Sequence, residues 1–186
     1  MCLSKGISAG YLPLGATMVT DEIYNAFLGE PTEYKTFYHG HSYTGNNLAC
    51  AAGLASLKIF AKDQVIAGLP PKIAMLQQHF AKMGEMEFVG DARQCGMLGG
   101  IELMADKAKK IPFNARLQMA GGICQNARKY GLIIRNIGDV IVVMPPLVST
   151  PAEIDEMMSR LEKSMEEIFN RVRAKDIKEF SDPCAF

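Results

Sequence analysis

Residues 4–15 read SKGISAGYLPLG and place one lysine, Lys5, directly before small residues and an apolar run. Small residues let a flat molecule approach the backbone closely, and an apolar setting favours the neutral, nucleophilic form of a lysine amine. The stretch therefore predicts a Schiff-base lysine close to the start of the chain. Taken alone, however, the pattern favours an ordinary surface lysine.

The composition is that of a globular protein with balanced charge. The chain has 186 residues, of which 48% are hydrophobic and 22% are charged, which allows one ordinary domain or two small ones. Lys plus Arg equals Asp plus Glu at 20 each, so the charge predicts binding neither to nucleic acid nor to an anionic membrane surface. No apolar run approaches the roughly 20 residues that a membrane-spanning helix needs.

The cysteines indicate the redox environment. All five are scattered, and none forms a CxxC pair, so the sequence predicts neither a zinc site nor a disulfide framework. With 12 methionines and no recognisable signal peptide, the chain is typical of a reduced cytoplasmic protein.

The first 65 residues contain short predicted elements around a polar loop. We predict a short buried strand over residues 11–20, a helix from Thr20 to about Leu28, and a helix from Asn47 to about Phe60. The second helix carries small residues on one face, which predicts close packing there: Ala49, Ala52, Gly53 and Ser56.

The pattern changes at a boundary near residues 62–70, which predicts domains at 1–65 and 66–186. The second domain is predicted to be an α/β unit of about four strands. Its predicted helices cover residues 70–83, 115–130 and 151–174, and its predicted strands cover 87–90, 96–104, 132–135 and 140–144. The last helix has the clearest start signal, because Thr150 precedes Pro151 and Glu153.

Residues 39–46 read HGHSYTGN and lead directly into the predicted helix at Asn47. Backbone N–H groups at a helix start and short hydroxyl side chains are suited to holding a phosphate. His39 and His41 invite a metal interpretation, but no third ligand lies nearby in the sequence, so a metal site is disfavoured. A purely structural loop remains the alternative.

Arg135 lies at the end of a predicted apolar strand. The planar fork of an arginine suits a carboxylate ligand, although Arg135 in isolation is better interpreted as an ordinary edge residue. Asp91 and Glu102 suggest an acid–base pair, but nothing fixes their geometry, and we interpret both as solvated or capping groups.

Three segments in this order resemble one family. The segments are Ser4-Lys5-Gly6, the run from His39 to Ala52, and Arg135 ahead of Met144-Pro145-Pro146. The whole chain resembles the C-terminal part of the class III (subgroup II) aminotransferases, which depend on pyridoxal 5′-phosphate. The resemblance implies an α/β protein of fold type I, with residues 1–65 as a remnant of the cofactor-binding large domain and residues 66–186 as the small domain.

The resemblance also implies roles for individual residues. Lys5 corresponds to the lysine that binds the cofactor aldehyde and then moves the proton at the substrate carbon. Gly40, His41 and Ser42 correspond to the phosphate-binding stretch, where the family commonly has threonine in place of Ser42. In the family this loop reaches the cofactor of the other subunit of a homodimer. Arg135 corresponds to the arginine that binds the substrate carboxylate.

The implied reaction lies in biotin synthesis. A small-molecule donor, S-adenosylmethionine or lysine, gives its amino group to the keto acceptor 8-amino-7-oxononanoate, which becomes 7,8-diaminononanoate. One alternative is another class III reaction, on an ω-amino acid or ornithine. A second alternative is a non-catalytic chain that acts only in association.

The family places a glycine-serine phosphate turn, a ring-stacking aromatic residue and a pyridine-binding aspartate ahead of the lysine. The sequence has no counterpart of these three features. We therefore expect the chain alone not to catalyse transamination, and we expect it to self-associate through the region from Tyr11 to Phe60.

Overall fold

The computed structural model describes residues 1–174. Residues 175–186, which include Cys184, lie outside the described part. The chain divides into two compact units, which we call unit 1 (Met1–Ile66) and unit 2 (from Ala67 onward).

Unit 1 contains a two-stranded ladder and two helices. Strands β1 (Cys2–Leu3) and β2 (Ala16–Thr17) pair antiparallel, and helices α1 (Asp21–Ala26) and α2 (Asn47–Lys62) follow. The prediction of a buried strand over residues 11–20 is wrong, because β2 alone is extended and part of it is exposed. The apolar residues before β2 have no ladder partner within residues 1–174, and an apolar run without a partner strand does not form a sheet.

Side-chain caps fix where the two helices of unit 1 begin. The Thr20 hydroxyl accepts a hydrogen bond from the N–H three residues further on, at 3.4 Å, and Asn46 Oδ1 accepts one from Ala49 N–H at 3.0 Å. Both helix starts confirm the sequence predictions. The small-residue face of α2 is also confirmed, since Ala49, Gly53 and Ser56 are buried.

Unit 2 is an antiparallel four-stranded sheet with three helices. The helices are α3 (Pro70–Gly84), α4 (Met119–Ala127) and α5 (Pro151–Arg173), and the strands are β3 (Val89–Cys95), β4 (Leu98–Leu103), β5 (Arg135–Ile137) and β6 (Val140–Val143). The strand order is β3-β4-β6-β5, which confirms the predicted four-stranded α/β unit. No helix within the described residues is long and apolar enough to cross a membrane.

The large buried apolar side chains of the described chain all belong to unit 2. Helices α3 and α4 each pack against α5, and α3 also packs against β3. Each fully buried aliphatic side chain contributes about 1.5–3 kcal/mol. The fully buried examples come from all layers of the unit: Leu76, Ile101, Ile123, Ile141 and Leu161.

The helix predicted over residues 115–130 is divided into three pieces. A 3₁₀ turn at Ala115–Leu117 precedes α4, and a second 3₁₀ turn at Arg128–Tyr130 follows it. Gln118 separates the first two pieces with a left-handed φ of 46°, which a continuous α-helix does not allow. Gly131, with a φ of 73°, ends the segment as predicted.

The strand predicted over residues 132–135 is shifted toward the C-terminus. Its partner β6 pairs from Val140 onward, and Arg135 stands opposite Val142. Leu132 is instead bonded back to the end of α4, because its N–H donates a hydrogen bond to the Ala127 carbonyl at 3.1 Å. Arg135 therefore begins a strand rather than ending one.

Helix α5 begins with the predicted capping box. The Thr150 hydroxyl accepts a hydrogen bond from the Glu153 N–H at 3.2 Å, and the Glu153 carboxylate accepts one from the Thr150 N–H at 2.7 Å. These reciprocal bonds satisfy two backbone donors that a helix start leaves without partners.

Candidate functional site

Lys5 begins a 3₁₀ turn, Lys5–Ser8, inside the loop that joins β1 to β2. Its φ is 51°, a left-handed conformation that costs a residue with a side chain on the order of 1–2 kcal/mol. The side chain is exposed. Within residues 1–174 its amine has neither a hydrogen-bond acceptor nor a carboxylate partner. The amine is therefore available for a ligand.

Helix α2 supports the Lys5 turn through its small-residue face. A Cβ atom on Gly53 would lie 2.8 Å from Leu14 Cδ2 and 3.7 Å from the Ile7 carbonyl oxygen. The absence of a side chain at Gly53 therefore lets the loop from β1 to β2 lie directly against the helix. The loop is closed on itself as well, since the buried Ser8 hydroxyl donates to the Leu12 carbonyl.

The histidine-bearing loop forms a tight turn immediately before α2. His41 N–H donates to Thr44 Oγ1 at 3.0 Å, and Thr44 N–H donates to the His41 carbonyl at 3.0 Å. The Tyr43 N–H donates to His41 Nδ1 at 3.1 Å. These two hydrogen bonds to Thr44 stabilise the turn, a role that no pattern in the sequence indicates. The His41 N–H therefore already has an acceptor within the turn.

Other donors in this loop remain free. In the part of the chain that the structure describes, the N–H groups of Gly40 and Ser42 and the Ser42 hydroxyl have no hydrogen-bond partner, and both residues are exposed. They are thus the members of the predicted phosphate-binding stretch that can still bind an anion. Among the described residues, no group of three potential metal ligands lies together.

Arg135 lies in unit 2 and lines a cavity of about 560 Å³. The cavity is formed where the start of β5 meets α4 and the turn that follows α4. Arg135 is exposed, and its guanidinium has no ion pair within residues 1–174. Asn136 beside it is held by a hydrogen bond from its amide to the Gly138 carbonyl at 2.8 Å, which fixes one wall of the cavity.

A second arginine, Arg128, lines the same cavity. It lies seven positions before Arg135 in the sequence, and no sequence pattern connects the two residues, so the sequence alone does not indicate Arg128. One carboxylic acid, Asp139, also lines the cavity. Burial raises the pKa of the Asp139 carboxyl, against an opposing hydrogen bond from the Ala120 N–H.

The structure thus groups the candidate residues by unit. In unit 1 the Lys5 turn contacts α2, and the loop containing Gly40, His41 and Ser42 leads into that same helix. In unit 2 Arg135 lines a cavity built only of unit 2 residues. The chemistry available is a free primary amine, a small set of anion-binding donors, and a guanidinium with room for a carboxylate.

Comparison with known proteins gives consistent matches over most of the chain. The family model described as aminotransferase class III matches residues 1–165. The adenosylmethionine-8-amino-7-oxononanoate aminotransferase of Geobacter sulfurreducens is 50% identical over 165 residues, which cover 89% of this chain and 36% of that protein. The corresponding protein of Aquifex aeolicus is 45% identical, covering 92% of this chain and 38% of that protein.

Solved structures agree with these sequence matches. The crystal structure of the Methanocaldococcus jannaschii adenosylmethionine-8-amino-7-oxononanoate aminotransferase superimposes with a TM-score of 0.83 at 45% identity, covering 89% of this chain and 38% of that one. A PMP-bound aminotransferase from Vibrio fluvialis superimposes with a TM-score of 0.84 at 27% identity, covering 92% and 38%. The chain therefore spans little more than a third of the length of the proteins that it matches.

Proposed function

The chain belongs to the class III aminotransferase family, and we propose that it provides part of the active site of an enzyme of biotin synthesis. The proposed reaction transfers an amino group from S-adenosylmethionine or lysine to 8-amino-7-oxononanoate and yields 7,8-diaminononanoate. The observation that carries the proposal is the match of residues 1–165 to the aminotransferase class III family model. The exposed Lys5 amine, which has no partner within residues 1–174, supports it. The 50% identity with the Geobacter protein supports the choice of acceptor.

The cofactor of this family is pyridoxal 5′-phosphate, which supplies an electron sink next to the reacting carbon when it is bound. The residues of unit 1 fit this group. Lys5 has an amine without a competing partner, and the N–H groups of Gly40 and Ser42 together with the Ser42 hydroxyl can hold a phosphate. His41 contributes by shaping the turn, since its N–H and Nδ1 are engaged by Thr44 and Tyr43.

Lys5 has two tasks in the proposed reaction. Its Nζ is the group that would hold the cofactor, by condensing with the cofactor aldehyde and releasing water. As a free amine, Nζ would accept the proton from the substrate carbon that carries the nitrogen and would later return a proton. The close contact between this turn and α2 at Gly53 fixes the position from which the amine acts.

Arg135 is the residue that we assign to the carboxylate of the acceptor. Its guanidinium has no ion pair within the described residues, and Arg135 lines a cavity of about 560 Å³. A charge-assisted, bidentate bond to a carboxylate orients a flexible acyl chain as well as binding it.

We further propose a cytoplasmic homodimer. Gly40, His41 and Ser42 are exposed in this chain, as expected if they contact the cofactor of a second subunit. The exposed apolar side chains of unit 1, such as Tyr11, Phe37 and Leu48, give such a subunit a surface to cover.

The test is the site of cofactor attachment. The 186-residue chain is mixed with pyridoxal 5′-phosphate, reduced with borohydride, and digested for mass spectrometry. We expect the reduced adduct on Lys5, its loss in Lys5→Ala, and its retention in Lys58→Ala. Lys58 is a matched control because it is an exposed lysine on α2 with no ion pair within residues 1–174. An adduct spread evenly over surface lysines, or one unchanged in Lys5→Ala, would contradict the proposal and favour a non-catalytic chain.

A further inference from the structure

Two arginines, rather than one, line the cavity of unit 2. Arg128 reaches it from the 3₁₀ turn after α4, and Arg135 reaches it from the first position of β5. Two positive charges that line one cavity repel each other unless an anion lies between them. An anion bound between them would be attracted by both charges.

Neither guanidinium is neutralised by the protein that the structure describes. By contrast, every arginine of β3 and α5 pairs with at least one carboxylate at 3.8 Å or less: Arg93, Arg160, Arg171 and Arg173. Arg128 and Arg135 form no such pair within residues 1–174. Arg116 is also unpaired within residues 1–174, but it does not line the cavity, so the two cavity arginines are the unpaired ones that share a space for a ligand.

Asp139, the acidic side chain that lines the cavity, does not neutralise either arginine. Asp139 lines the cavity, but it forms no ion pair with either arginine within 4.0 Å. The shift in its pKa arises from burial and from the Ala120 N–H, so neither arginine is among its resolved causes. The cavity therefore keeps two free guanidinium groups against one carboxyl.

The space beside the arginines suits a small molecule. Its volume of about 560 Å³ lies within the range of roughly 300–1,000 Å³ that ligand pockets occupy. Gly121 lines it without a side chain, and the nearest atoms to a Cβ built there are Gln118 Cβ at 3.8 Å and Asn136 Oδ1 at 3.9 Å. The wall at Gly121 is thus open rather than tightly packed.

We infer that Arg128 and Arg135 together bind one carboxylate of a small organic acid, with Arg128 as a ligand-binding residue in its own right. Two planar forks give a carboxylate up to four charge-assisted hydrogen bonds and define both its position and its plane. The identity of the acid rests on the proposed function, in which it is the carboxylate end of the keto acceptor. The pairing of the two arginines on one anion does not depend on that identity.

The test uses hexanoate as the probe and 1-hexanol as the uncharged control. Binding to the 186-residue chain is followed by NMR, with the arginine side-chain signals as local reporters. We expect hexanoate to bind and 1-hexanol not to bind. We expect Arg128→Gln to weaken hexanoate by about 10-fold, as the loss of one charge-assisted contact predicts, and Arg128→Lys to weaken it less, because the point charge remains without the fork.

Two further variants separate a binding role from general damage. Arg116→Gln is the matched control, since Arg116 lacks an ion pair within residues 1–174 but does not line the cavity, and it should bind hexanoate as the unaltered chain does. Gly121→Leu should fill the cavity and abolish binding while leaving both arginines in place. Absence of hexanoate binding, equal binding of 1-hexanol, or an Arg128→Gln variant with unchanged affinity would overturn the inference.

The outcome is independent of the cofactor test. Lys5→Ala should bind hexanoate as tightly as the unaltered chain, because Lys5 belongs to unit 1 and does not line the cavity. If the cofactor attaches to Lys5 but hexanoate does not bind, only the arginine pair is wrong. If hexanoate binds through both arginines but no adduct forms on Lys5, the proposed function fails and the anion site stands.

Discussion

Glu167 on α5 is a carboxylate that joins several elements of unit 2. Its pKa is lowered to about 2, with the hydrogen bond from Lys129 as the largest cause and the bond from Asn126 next, against partial burial, which raises it. Within residues 1–174, the only ion pair of the neighbouring Glu166 is with Arg173, at 3.8 Å. The groups that donate to Glu167 come from α4, the turn after it and α5: Asn126, Lys129, Tyr130 and Arg171.

We predict that Glu167→Gln lowers the free energy of unfolding by about 1–2 kcal/mol at pH 7. A shift from 4.5 to about 2 would correspond to roughly 3 kcal/mol, and solvent screening of the exposed partners reduces it. Because the folded-state pKa is depressed, the contribution is complete above pH 4.5 and is lost as the pH falls toward 2. Urea unfolding at pH 7 and at pH 3 measures the difference.

The matched control for this change is Glu166→Gln, one position earlier on the same helix. With one long contact to Arg173, it should change stability by less than about 0.5 kcal/mol at either pH. Equal losses for the two variants, or a Glu167→Gln loss that persists unchanged at pH 3, would show that the network around Glu167 is not electrostatic.

At the residue scale, the sequence predicted which side chains carry useful functional groups better than it predicted the backbone conformation and the neighbours of those side chains. It singled out Lys5 and Arg135, and neither side chain has a hydrogen-bond or ion-pair partner within residues 1–174. It could not predict the left-handed φ of Lys5, because that conformation depends on the closed loop between β1 and β2. It did not indicate Thr44 or Arg128 for a similar reason. Thr44 accepts a hydrogen bond within a turn and Arg128 lines a cavity, and neither position can be inferred from the spacing of nearby residues.

At the scale of elements, β4 packs against α3 through a position that has no side chain. A Cβ atom on Gly99 would lie 2.2 Å from Phe80 Cζ and 2.8 Å from its two Cε atoms. Phe80 is 3% exposed, so its ring has little room to withdraw. Gly99 is therefore required by the close approach of the ring to the strand, not by backbone conformation.

We predict that Gly99→Ala destabilises unit 2 by about 1–3 kcal/mol, the usual cost of overpacking a core. Chemical unfolding followed by circular dichroism measures the loss. Gly84→Ala is the control, because a Cβ there would lie 3.5 Å from Ala92 Cβ, an ordinary contact. The double variant Gly99→Ala/Phe80→Leu should recover part of the stability, since the smaller side chain removes the clash. A Gly99→Ala variant as stable as the parent would refute the packing argument.

Helices were predicted more accurately than strands, and the reason is physical. Helix starts depend on local groups, and the caps at Thr20, Asn46 and Thr150 could be predicted from adjacent residues. A strand needs a partner at the right register. Residues 132–134 are apolar, yet Ile133 is 84% exposed, because the ladder with β6 begins only at Arg135.

At the scale of the whole molecule, the two units differ in how much apolar surface they bury. The family and the α/β fold class predicted from the sequence are confirmed by the matches over residues 1–165. The buried core, however, lies in unit 2, and the buried residues of unit 1 are small. They comprise Ser8, Ala49, Gly53 and Ser56.

We predict that this difference determines which unit opens first in the 186-residue chain. Helices α2 and α3 form a matched pair, since they contain 16 and 15 residues, and length alone would give them similar stability. Helix α3 buries Leu76, Phe80 and Met83 in the core, whereas α2 leaves Leu54 and Leu57 exposed. Amide hydrogens of α3 should exchange at least about 100-fold more slowly than those of α2, because opening α3 disrupts the core.

The measurement is hydrogen exchange by mass spectrometry at two protein concentrations. The expected self-association through the region from Tyr11 to Phe60 would cover the apolar face of α2, so its amides should gain protection as concentration rises. Those of α3 should not change, because its buried face is already covered within unit 2. Equal protection of the two helices at the lower concentration would mean that α2 is stabilised by something other than buried apolar area. Protection of α2 that is independent of concentration would argue against self-association through this surface.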